Sequence, residues 1–163
     1  MRNDVPRKQR RLRGTIAGDN LRLPLLRVSS NMQLLDHVSI GVPDLDRARP
    51  FYDAIMSALG ATKVYDRPGA LGYGERCSAG DATSTCLAVY ADDSEIGENR
   101  RHWCFKAPSH EQVDAFHAAG LAAGGRSDGA PGPRVHYHPA YYAAFLFDPA
   151  GNRVEAVCHT EVS

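Results

Sequence analysis

The chain carries the stretch LDHVSIGVPDLDRARPFYDAIMSALG at residues 35–60, and this stretch decides the fold. Its first part, residues 35–42, mixes apolar and polar residues as a half-buried strand does. Pro43 then ends the strand, Asp44 is a typical helix N-cap, and Gly60 is a typical helix stop. Between the cap and the glycine the apolar residues recur with helical spacing, and they are Leu45, Ala48, Phe51, Tyr52, Ile55, Met56 and Leu59. The stretch therefore predicts a strand followed at once by an amphipathic helix.

The same order of features returns 65 residues further along the chain. At that offset the matching pairs are His37 with His102, Pro43 with Pro108, Asp44 with Ser109, Phe51 with Phe116, and Gly60 with Gly125. The second copy predicts a strand over residues 101–107 and a helix that opens with Ser109 and Gln112, the spacing of a capping box. The residues predicted to face inward from this helix are Val113, Phe116 and Leu121. Such an internal repeat indicates two copies of one structural unit.

Short β-like runs follow each helix, so each half of the chain predicts the order β-α-β-β-β. The runs lie at residues 62–66, 70–76 and 85–91 in the first half, and near 134–137, at 142–147 and at 153–159 in the second. One such unit is too small to cover its own sheet, so two units must pair. We therefore predict an α+β fold in which two βαβββ modules form a curved mixed sheet with a central cleft. A ferredoxin-like α+β sandwich is the alternative.

Residues 1–33 differ from the rest of the chain, because six basic residues crowd the first fourteen positions. We expect them to form a basic, disordered extension outside the core. A solvated tail, or a start codon assigned too early, is favoured over contact with RNA or a membrane surface. The domain is expected to span residues 34–159, with module one at about 34–92 and module two at about 100–159.

Charge and hydropathy limit the partners and the compartment. Lys plus Arg and Asp plus Glu both number 19, so the formal net charge is zero and gives no case for a nucleic-acid partner. No apolar run is long enough to span a bilayer, and the basic start lacks the apolar stretch of a secretory signal. We therefore expect a cytoplasmic protein with no membrane partner. Its four cysteines are expected to be buried free thiols, and they are Cys77, Cys86, Cys104 and Cys158.

Two histidines and one glutamate take related places in the repeat. His37 and His102 both start the first strand of their module, and Glu155 lies in the last strand, 53 residues after His102. The position in module one that corresponds to Glu155 is Ala88. Glu155 lies among apolar residues, and a buried carboxylate needs a partner, such as a divalent metal ion, that offsets its desolvation. The alternative is that the histidines are hydrogen-bonded strand residues and that Glu155 pairs with an arginine such as Arg153.

The repeat resembles the vicinal oxygen chelate superfamily, as do the segments LDHVSIGVPDLDRARPFY at 35–52 and DPAGNRVEAV at 148–157. This superfamily contains glyoxalase I, extradiol dioxygenases, and bleomycin- and fosfomycin-resistance proteins, and the resemblance covers about residues 34–159. It implies metal ligands on the first and last strands of both modules, which here are His37, His102 and Glu155. Ala88 stands where glyoxalase I has its fourth ligand.

The loss of one ligand brings the pattern closer to that of extradiol dioxygenases, where two histidines and one glutamate hold iron. Their signature runs from a His through a Tyr to Asp-Pro-x-Gly and the Glu ligand. This chain matches that signature at His138, Asp148, Pro149, Gly151 and Glu155. It departs at Ala144 and Phe145, where an aliphatic residue and a Tyr are expected, and it has two modules where typical catechol-cleaving members have four.

The segment HYHPAYY at residues 136–142 adds a second polar cluster before the last two strands. We predict that His138 and Tyr141 or Tyr142 face the cleft, where they would orient a substrate oxygen or move a proton. The alternative is a proline-containing loop whose aromatic rings pack together. The turn at 148–151 is expected to be structural, with Gly151 supplying the permissive backbone.

The residues and the resemblance together predict a metal-dependent enzyme of the glyoxalase or dioxygenase type, with a small substrate whose vicinal oxygens lie in a central metal-binding cleft. The divalent ion would be Fe, Zn, Ni or Mn, and the reaction an isomerisation, a lyase step or an oxygen-dependent ring cleavage. The sequence shows no basic cluster clearly suited to the carboxylates of glutathione. A metal-free, drug-binding protein of the bleomycin-resistance type is the alternative. A homodimer is expected, because chains of the resembling family either close their own cleft or exchange modules with a second copy.

Overall fold

The structure is a computed structural model that describes residues 34–76, 79, 83–93 and 101–160. The expected extension at 1–33 and Cys77 lie outside these residues. In the described part of the chain the elements follow in the order β1 (His37–Val42), α1 (Leu45–Ala58), β2 (Lys63–Arg67), β3 (Ala70–Gly74), β4 (Cys86–Ala91), β5 (His102–Lys106), α2 (His110–Ala122), β6 (Arg126–Pro133), β7 (Tyr142–Phe147) and β8 (Arg153–Cys158).

Each module forms its own four-stranded mixed sheet. The strand order is β1-β4-β3-β2 in the first sheet and β5-β8-β7-β6 in the second. In each sheet the first strand of the module runs parallel to the last, and the other neighbours are antiparallel. The prediction of an α+β fold made of two βαβββ modules is confirmed. Strands β1 and β5 each lie at the edge of their sheet.

Helix α1 begins and ends where the sequence predicts. Asp44 caps its N-terminus, because the side chain accepts a hydrogen bond from a backbone N–H of the first turn at 2.9 Å. The predicted apolar stripe is buried apart from Leu59, which is half-buried. Gly60 follows with φ of 78°, a conformation that favours glycine. After α2 the corresponding residue is Gly124, with φ of 91°, and not the predicted Gly125.

Helix α2 departs from the prediction near its C-terminus. Ser109 caps its N-terminus as expected. Val113 and Phe116 are fully buried, but Leu121 is 42% exposed, so its predicted inward orientation is wrong. Gly120 is the residue of the last turn that is buried. The helix therefore turns its smallest residue, and not its leucine, toward the core.

Two glycines let α2 approach α1 closely. A Cβ added at Gly120 would lie 2.4 Å from Leu146 Cδ1 and 3.0 Å from Ile55 Cγ2. A Cβ added at Gly125 would lie 2.4 Å from Phe51 Cε2. Because these distances are well below van der Waals contact, a side chain at either position would force its neighbours to move. The two modules thus pack helix against helix around one shared core.

Two polar contacts also join the modules. The Tyr52 hydroxyl donates to the buried Asp148 carboxylate at 2.7 Å, and Asn152 Nδ2 donates to the Gly41 carbonyl oxygen at 3.0 Å. Asp148 also accepts two backbone N–H bonds from its own turn. Gly151 in that turn has φ of 99°. The structural role expected of this turn is confirmed.

Strand β6 lies away from its predicted position. The sequence predicts a strand near residues 134–137, but these residues form a turn in which the Tyr137 N–H donates to the Arg134 carbonyl oxygen at 2.9 Å. The strand has the sequence RSDGAPGP, which is poor in strand-forming residues. It forms at the edge of its sheet, where Pro is tolerated, and its register with β7 shifts twice.

Cys86, Cys104 and Cys158 are free thiols as predicted, but of these three only Cys158 is buried. No helix among the described residues combines the length and the apolar character that crossing a membrane requires.

Candidate active site

Strands β5 and β8 bring His102 and Glu155 together. The two strands are parallel, with His102 opposite Arg153 and Cys104 opposite Glu155. Side chains alternate between the two faces of a sheet, and residues paired across strands share a face. His102, Cys104, Arg153 and Glu155 therefore lie on one face of the second sheet.

The ladder of the first module shows which residue replaces the glutamate. Strand β1 pairs with β4 so that His37 lies opposite Cys86 and Ser39 lies opposite Ala88. In both modules the ladder starts at the histidine, and its third pair contains Ala88 or Glu155. Ala88 thus occupies the place of Glu155, as the repeat predicts. An alanine side chain offers no atom that binds a metal ion.

Glu155 is a buried carboxylate with two partners. Only 2% of the residue is exposed. Its Oε2 lies 3.0 Å from His102 Nε2, and its Oε1 accepts a hydrogen bond from the Tyr141 hydroxyl at 2.7 Å. Arg153 instead forms an ion pair with Asp128. The alternative of a Glu155–Arg153 pair is therefore wrong.

The spacing of His102 and Glu155 suits two ligands of one metal ion. Metal–nitrogen and metal–oxygen bonds are about 2.0–2.2 Å long, so neighbouring ligand atoms of one ion lie about 2.8–3.6 Å apart, depending on the coordination angle. The 3.0 Å between His102 Nε2 and Glu155 Oε2 falls in this range, and an imidazole with a carboxylate is a donor set that divalent transition metals accept. Among the described residues, no group of three His, Cys, Asp or Glu side chains is arranged to hold an ion. The described residues of one chain thus offer this pair, and a metal ion held there would need further ligands.

His37 lies in the other sheet, at the start of β1. Its side chain is exposed, and its Nδ1 lies 2.6 Å from Asp36 Oδ1. A histidine that donates Nδ1–H to a carboxylate keeps the Nε2 lone pair for a ligand, as metal-binding histidines commonly do. Within the described residues of one chain, His37 forms no metal-holding group with His102 and Glu155.

Tyr141 and Cys104 border the Glu155 carboxylate as neutral groups. Burial, the hydrogen bond to Glu155 and its charge raise the pKa of the Tyr141 hydroxyl well above its ordinary value. Desolvation of the sulfur by nearby protein atoms, together with the Glu155 charge, raises the pKa of the Cys104 thiol, although the residue as a whole is exposed. Both groups therefore stay protonated at neutral pH. Tyr141 acts on Glu155 as a hydrogen-bond donor and not as a base.

The predicted loop cluster forms beside Glu155, with Tyr141 in direct contact with the carboxylate. His138 Nε2 lies 2.8 Å from His159 Nδ1. The ring centres of His138 and His159 lie 5.3 Å and 5.1 Å from that of Tyr141. Tyr137 packs on the same ring at 4.8 Å. The Tyr141 ring thus lies between His138 and Glu155. The aromatic rings of this cluster also pack together.

Tyr142 lies apart from this cluster. Its hydroxyl donates to Asp114 at 2.8 Å, and its ring stacks on that of His110 with centres 4.0 Å apart. Both partners belong to α2. Because successive residues of an extended chain point to opposite faces, Tyr141 and Tyr142 cannot both face Glu155. Of the two tyrosines, Tyr141 lies beside Glu155 and Tyr142 does not.

Two further residues contact this site, although the sequence does not mark them as site residues. Cys104 lies opposite Glu155 on one side, and Phe145 lies opposite it on the other. The Phe145 ring centre is 6.4 Å from that of His102. Alternation along β5 would have placed Cys104 on the face of His102. Phe145 could be found only with the register between β7 and β8, which depends on contacts distant in sequence.

Comparison with known proteins agrees with the fold. The family model described as Glyoxalase/Bleomycin resistance protein/Dioxygenase superfamily matches residues 34–156. Among curated proteins, none matches the chain. A glyoxalase/bleomycin resistance protein of known structure from Albidiferax ferrireducens T118 has 34% sequence identity to this chain and a TM-score of 0.62, and the match covers 77% of this chain and 98% of that one.

Two other solved structures share the fold at lower identity. The fosfomycin resistance protein FosX from Mesorhizobium loti is 18% identical with a TM-score of 0.55, over 77% of this chain and 92% of its own. A mutant of glyoxalase I from Zea mays is 23% identical with a TM-score of 0.52, over 76% of this chain and 45% of its own. The chain therefore belongs to the glyoxalase/bleomycin resistance protein/dioxygenase superfamily.

Proposed function

We propose that this protein is a metal-dependent enzyme that acts on a small substrate with vicinal oxygens, with His37, His102 and Glu155 as the metal ligands. The observation that carries the proposal is the buried Glu155 carboxylate with its Oε2 3.0 Å from His102 Nε2. Membership of a superfamily named for glyoxalases and dioxygenases supports the same class of chemistry. Fe, Zn, Ni or Mn would suit two imidazoles and a carboxylate, a set that leaves positions open for substrate oxygens.

The residues around His102 and Glu155 would position these two side chains and transfer protons to or from the substrate. A bound ion would supply Lewis acidity that stabilises negative charge on the substrate oxygens. Tyr141 holds Glu155 in place through its 2.7 Å hydrogen bond. His138, which packs against Tyr141 and hydrogen-bonds to His159, is the residue that we assign to accept or release a proton, because imidazole can do both.

We infer that His37 reaches the site from a second copy of the chain, in a homodimer. Each module keeps its own sheet, with β1 and β5 at sheet edges. Edge strands are the natural places for one chain to pair with another. A twofold dimer that places β1 of one chain beside β5 of its partner would bring His37 to the partner's His102 and Glu155 twice over, building two equivalent sites.

A metal-free protein of the bleomycin-resistance type is the second candidate. One observation favours it, because both oxygens of Glu155 already have protein partners and the carboxylate is satisfied without an ion. Ala88 at a ligand position of module one points the same way. Such a protein would bind a drug or another small molecule in the cleft without transforming it.

Metal content decides between the two candidates. We would measure it by elemental analysis of tag-free protein purified anaerobically, together with His102→Ala and Glu155→Gln. His117→Ala is the matched control, because His117 lies on α2 and its imidazole contacts Ser127 Oγ at 2.9 Å. We expect near-stoichiometric metal in the wild type and the control, and loss of metal from the two ligand variants.

The identity of the metal then directs the search for a reaction. Iron would lead to catechols under oxygen, whereas zinc, nickel or manganese would lead to isomerase and lyase substrates. A wild-type protein that carries no metal and takes up none when it is added would contradict the enzyme and favour the binding protein.

A further inference from the structure

Arg134 is a positive charge near the site without an acidic partner. Its Nη1 donates to the Pro133 carbonyl oxygen at 3.2 Å, and its Nη2 donates to that of Ala130 at 2.7 Å. Among the residues that the structure describes, no Asp or Glu forms an ion pair with it. Arg153, by contrast, is neutralised by Asp128. The Arg134 guanidinium is half-buried and donates to two backbone carbonyl groups, which do not neutralise its charge. Its positive charge and its remaining N–H donors are therefore available to an external anion.

Phe145 connects Arg134 to the His102–Glu155 pair. The centre of its ring lies 5.6 Å from Arg134 Cζ and 6.4 Å from the ring centre of His102. Phe145 also lies opposite Glu155 in the ladder, so the two side chains share a face of the sheet. Arg134 and His102 therefore both border the Phe145 ring, and this ring lies on the face of the sheet that carries Glu155.

Glycines in β6 make room for this arrangement. A Cβ added at Gly129 would lie 3.0 Å from Phe145 Cδ2 and 3.5 Å from Arg134 Nη2. A Cβ added at Gly132 would lie 3.2 Å from Arg134 Nη1. Larger residues at these positions would press on the ring or the guanidinium. The glycines that make β6 a weak strand thus leave the space in which Arg134 and Phe145 lie.

We propose that Arg134 binds a carboxylate of the substrate, with Phe145 packing against the part that joins this carboxylate to the vicinal oxygens at His102 and Glu155. The position of the oxygens rests on the proposed function, whereas anion binding by Arg134 does not. A guanidinium fork matches the two oxygens of a carboxylate in charge and in shape. The substrate class is therefore a small carboxylic acid that also carries two adjacent oxygens.

Benzoate and its neutral counterpart benzamide test this proposal. Their rings can pack on Phe145, but only benzoate carries the charge. Binding would be followed by titration and by the nitrogen-15 signal of the Arg134 Nε–H group, in metal-loaded protein and after removal of metal with a chelator. We expect the wild type to prefer benzoate, and Arg134→Gln to weaken benzoate binding by about tenfold or more while benzamide is unaffected.

Arg126→Gln is the matched control for this experiment. Arg126 also lies on β6 and over an aromatic ring, with its Cζ 4.2 Å from the centre of Phe147. We expect this variant to bind benzoate as the wild type does. If Arg134→Gln does not fold, Arg134→Lys decides, because it keeps the charge and loses the fork. A reduced preference for benzoate in that variant would support the proposal, and an unchanged preference would overturn it.

The outcomes also separate this proposal from the proposed function. Equal binding of benzoate and benzamide by the wild type, or full benzoate binding by Arg134→Gln, would overturn the role of Arg134 whatever the metal content. A benzoate preference that depends on Arg134 in a protein that never binds metal would support the anion site and contradict the metalloenzyme.

Discussion

Each carboxylate oxygen of Glu155 has its own partner. The Tyr141 hydroxyl contacts Oε1, and the His102 imidazole contacts Oε2. Because burial and the Glu155 charge raise the pKa of Tyr141, its hydroxyl remains a donor and fixes Oε1. His102 faces Oε2 at a spacing that two ligands of one ion would have. Tyr141 is therefore a positioning residue for the carboxylate.

Replacement of Tyr141 by Phe should weaken metal binding by about 10- to 100-fold, because the hydrogen-bond partners of a ligand orient it. The free energy of unfolding should fall by about 1 kcal/mol, since one buried acceptor loses its donor. Competition with a chromophoric chelator and denaturant unfolding measure the two effects. Tyr142→Phe is the control, because that hydroxyl bonds to Asp114. Metal affinity that falls equally in both variants would contradict the role given to Tyr141.

The sequence predicts the meeting of His102 and Glu155, because the repeat gives both a place in the same small unit. Their role as ligands stays a prediction. Arg134 and Phe145 could not be predicted as site residues, because their approach depends on the turn after β6 and on the register of β7 against β8.

Helix α1 is tied to strand β2 through the Asp66 carboxylate. Asp66 forms ion pairs with Arg49 on the helix and with Lys63 on the strand, the second at 3.0 Å. The hydrogen bonds from Arg49 and Lys63 lower the pKa of Asp66 from its ordinary value of 3.8. A carboxyl group with a lowered pKa in the folded state stabilises the fold above its unfolded pKa. That contribution is lost as pH falls through the folded pKa.

Replacement of Asp66 by Asn should therefore lower Tm slightly at neutral pH, because exposed ion pairs contribute little. The difference in Tm from the wild type should shrink as pH falls below about 4 and then disappear. Thermal unfolding at a series of pH values measures it. A difference that grows toward acid pH would contradict this account of the helix–strand link.

Replacement of Gly120 by Val should destabilise the protein by about 1–3 kcal/mol, because its side chain would meet Leu146 and Ile55 in a packed core. Ala118→Val on the exposed side of α2 is the matched control, and it should cost only the smaller helix propensity of valine. Denaturant unfolding measures both. An equal loss of unfolding free energy in the two variants would contradict the role of Gly120 in the close packing of α1 and α2.

The elements differ in how well the sequence predicts them. Cap, apolar stripe and glycine stop agree in α1, so its bounds are predicted closely. Strand β6 has no such local signal, because it is Gly- and Pro-rich and forms only by pairing with β7. The inward position given to Leu121 is wrong because the close approach of the helices selects Gly120. Local sequence signals thus predict an element correctly where tertiary packing agrees with them. They predict it wrongly where contacts with an element distant in sequence determine the structure.

At the scale of the whole molecule, the two modules share a core through their helices while each keeps its own sheet. The repeat predicts that His37 and His102 hold equivalent places. The repeat does not show whether the two modules that line one cleft belong to the same chain or to two copies, because that depends on how the helices pack. The structure places the helix pair inside one chain, and we propose that the cleft is completed by a second copy.

The most direct test is the metal content of a heterodimer formed from His37→Ala and His102→Ala chains. In a homodimer of either variant, every site lacks one histidine. In the heterodimer, one site would combine His37 of the second chain with His102 and Glu155 of the first, so it would be intact. We predict about one ion per heterodimer and none in the two homodimers. A heterodimer without metal, from chains whose wild-type protein binds metal stoichiometrically, would contradict a site shared between two copies.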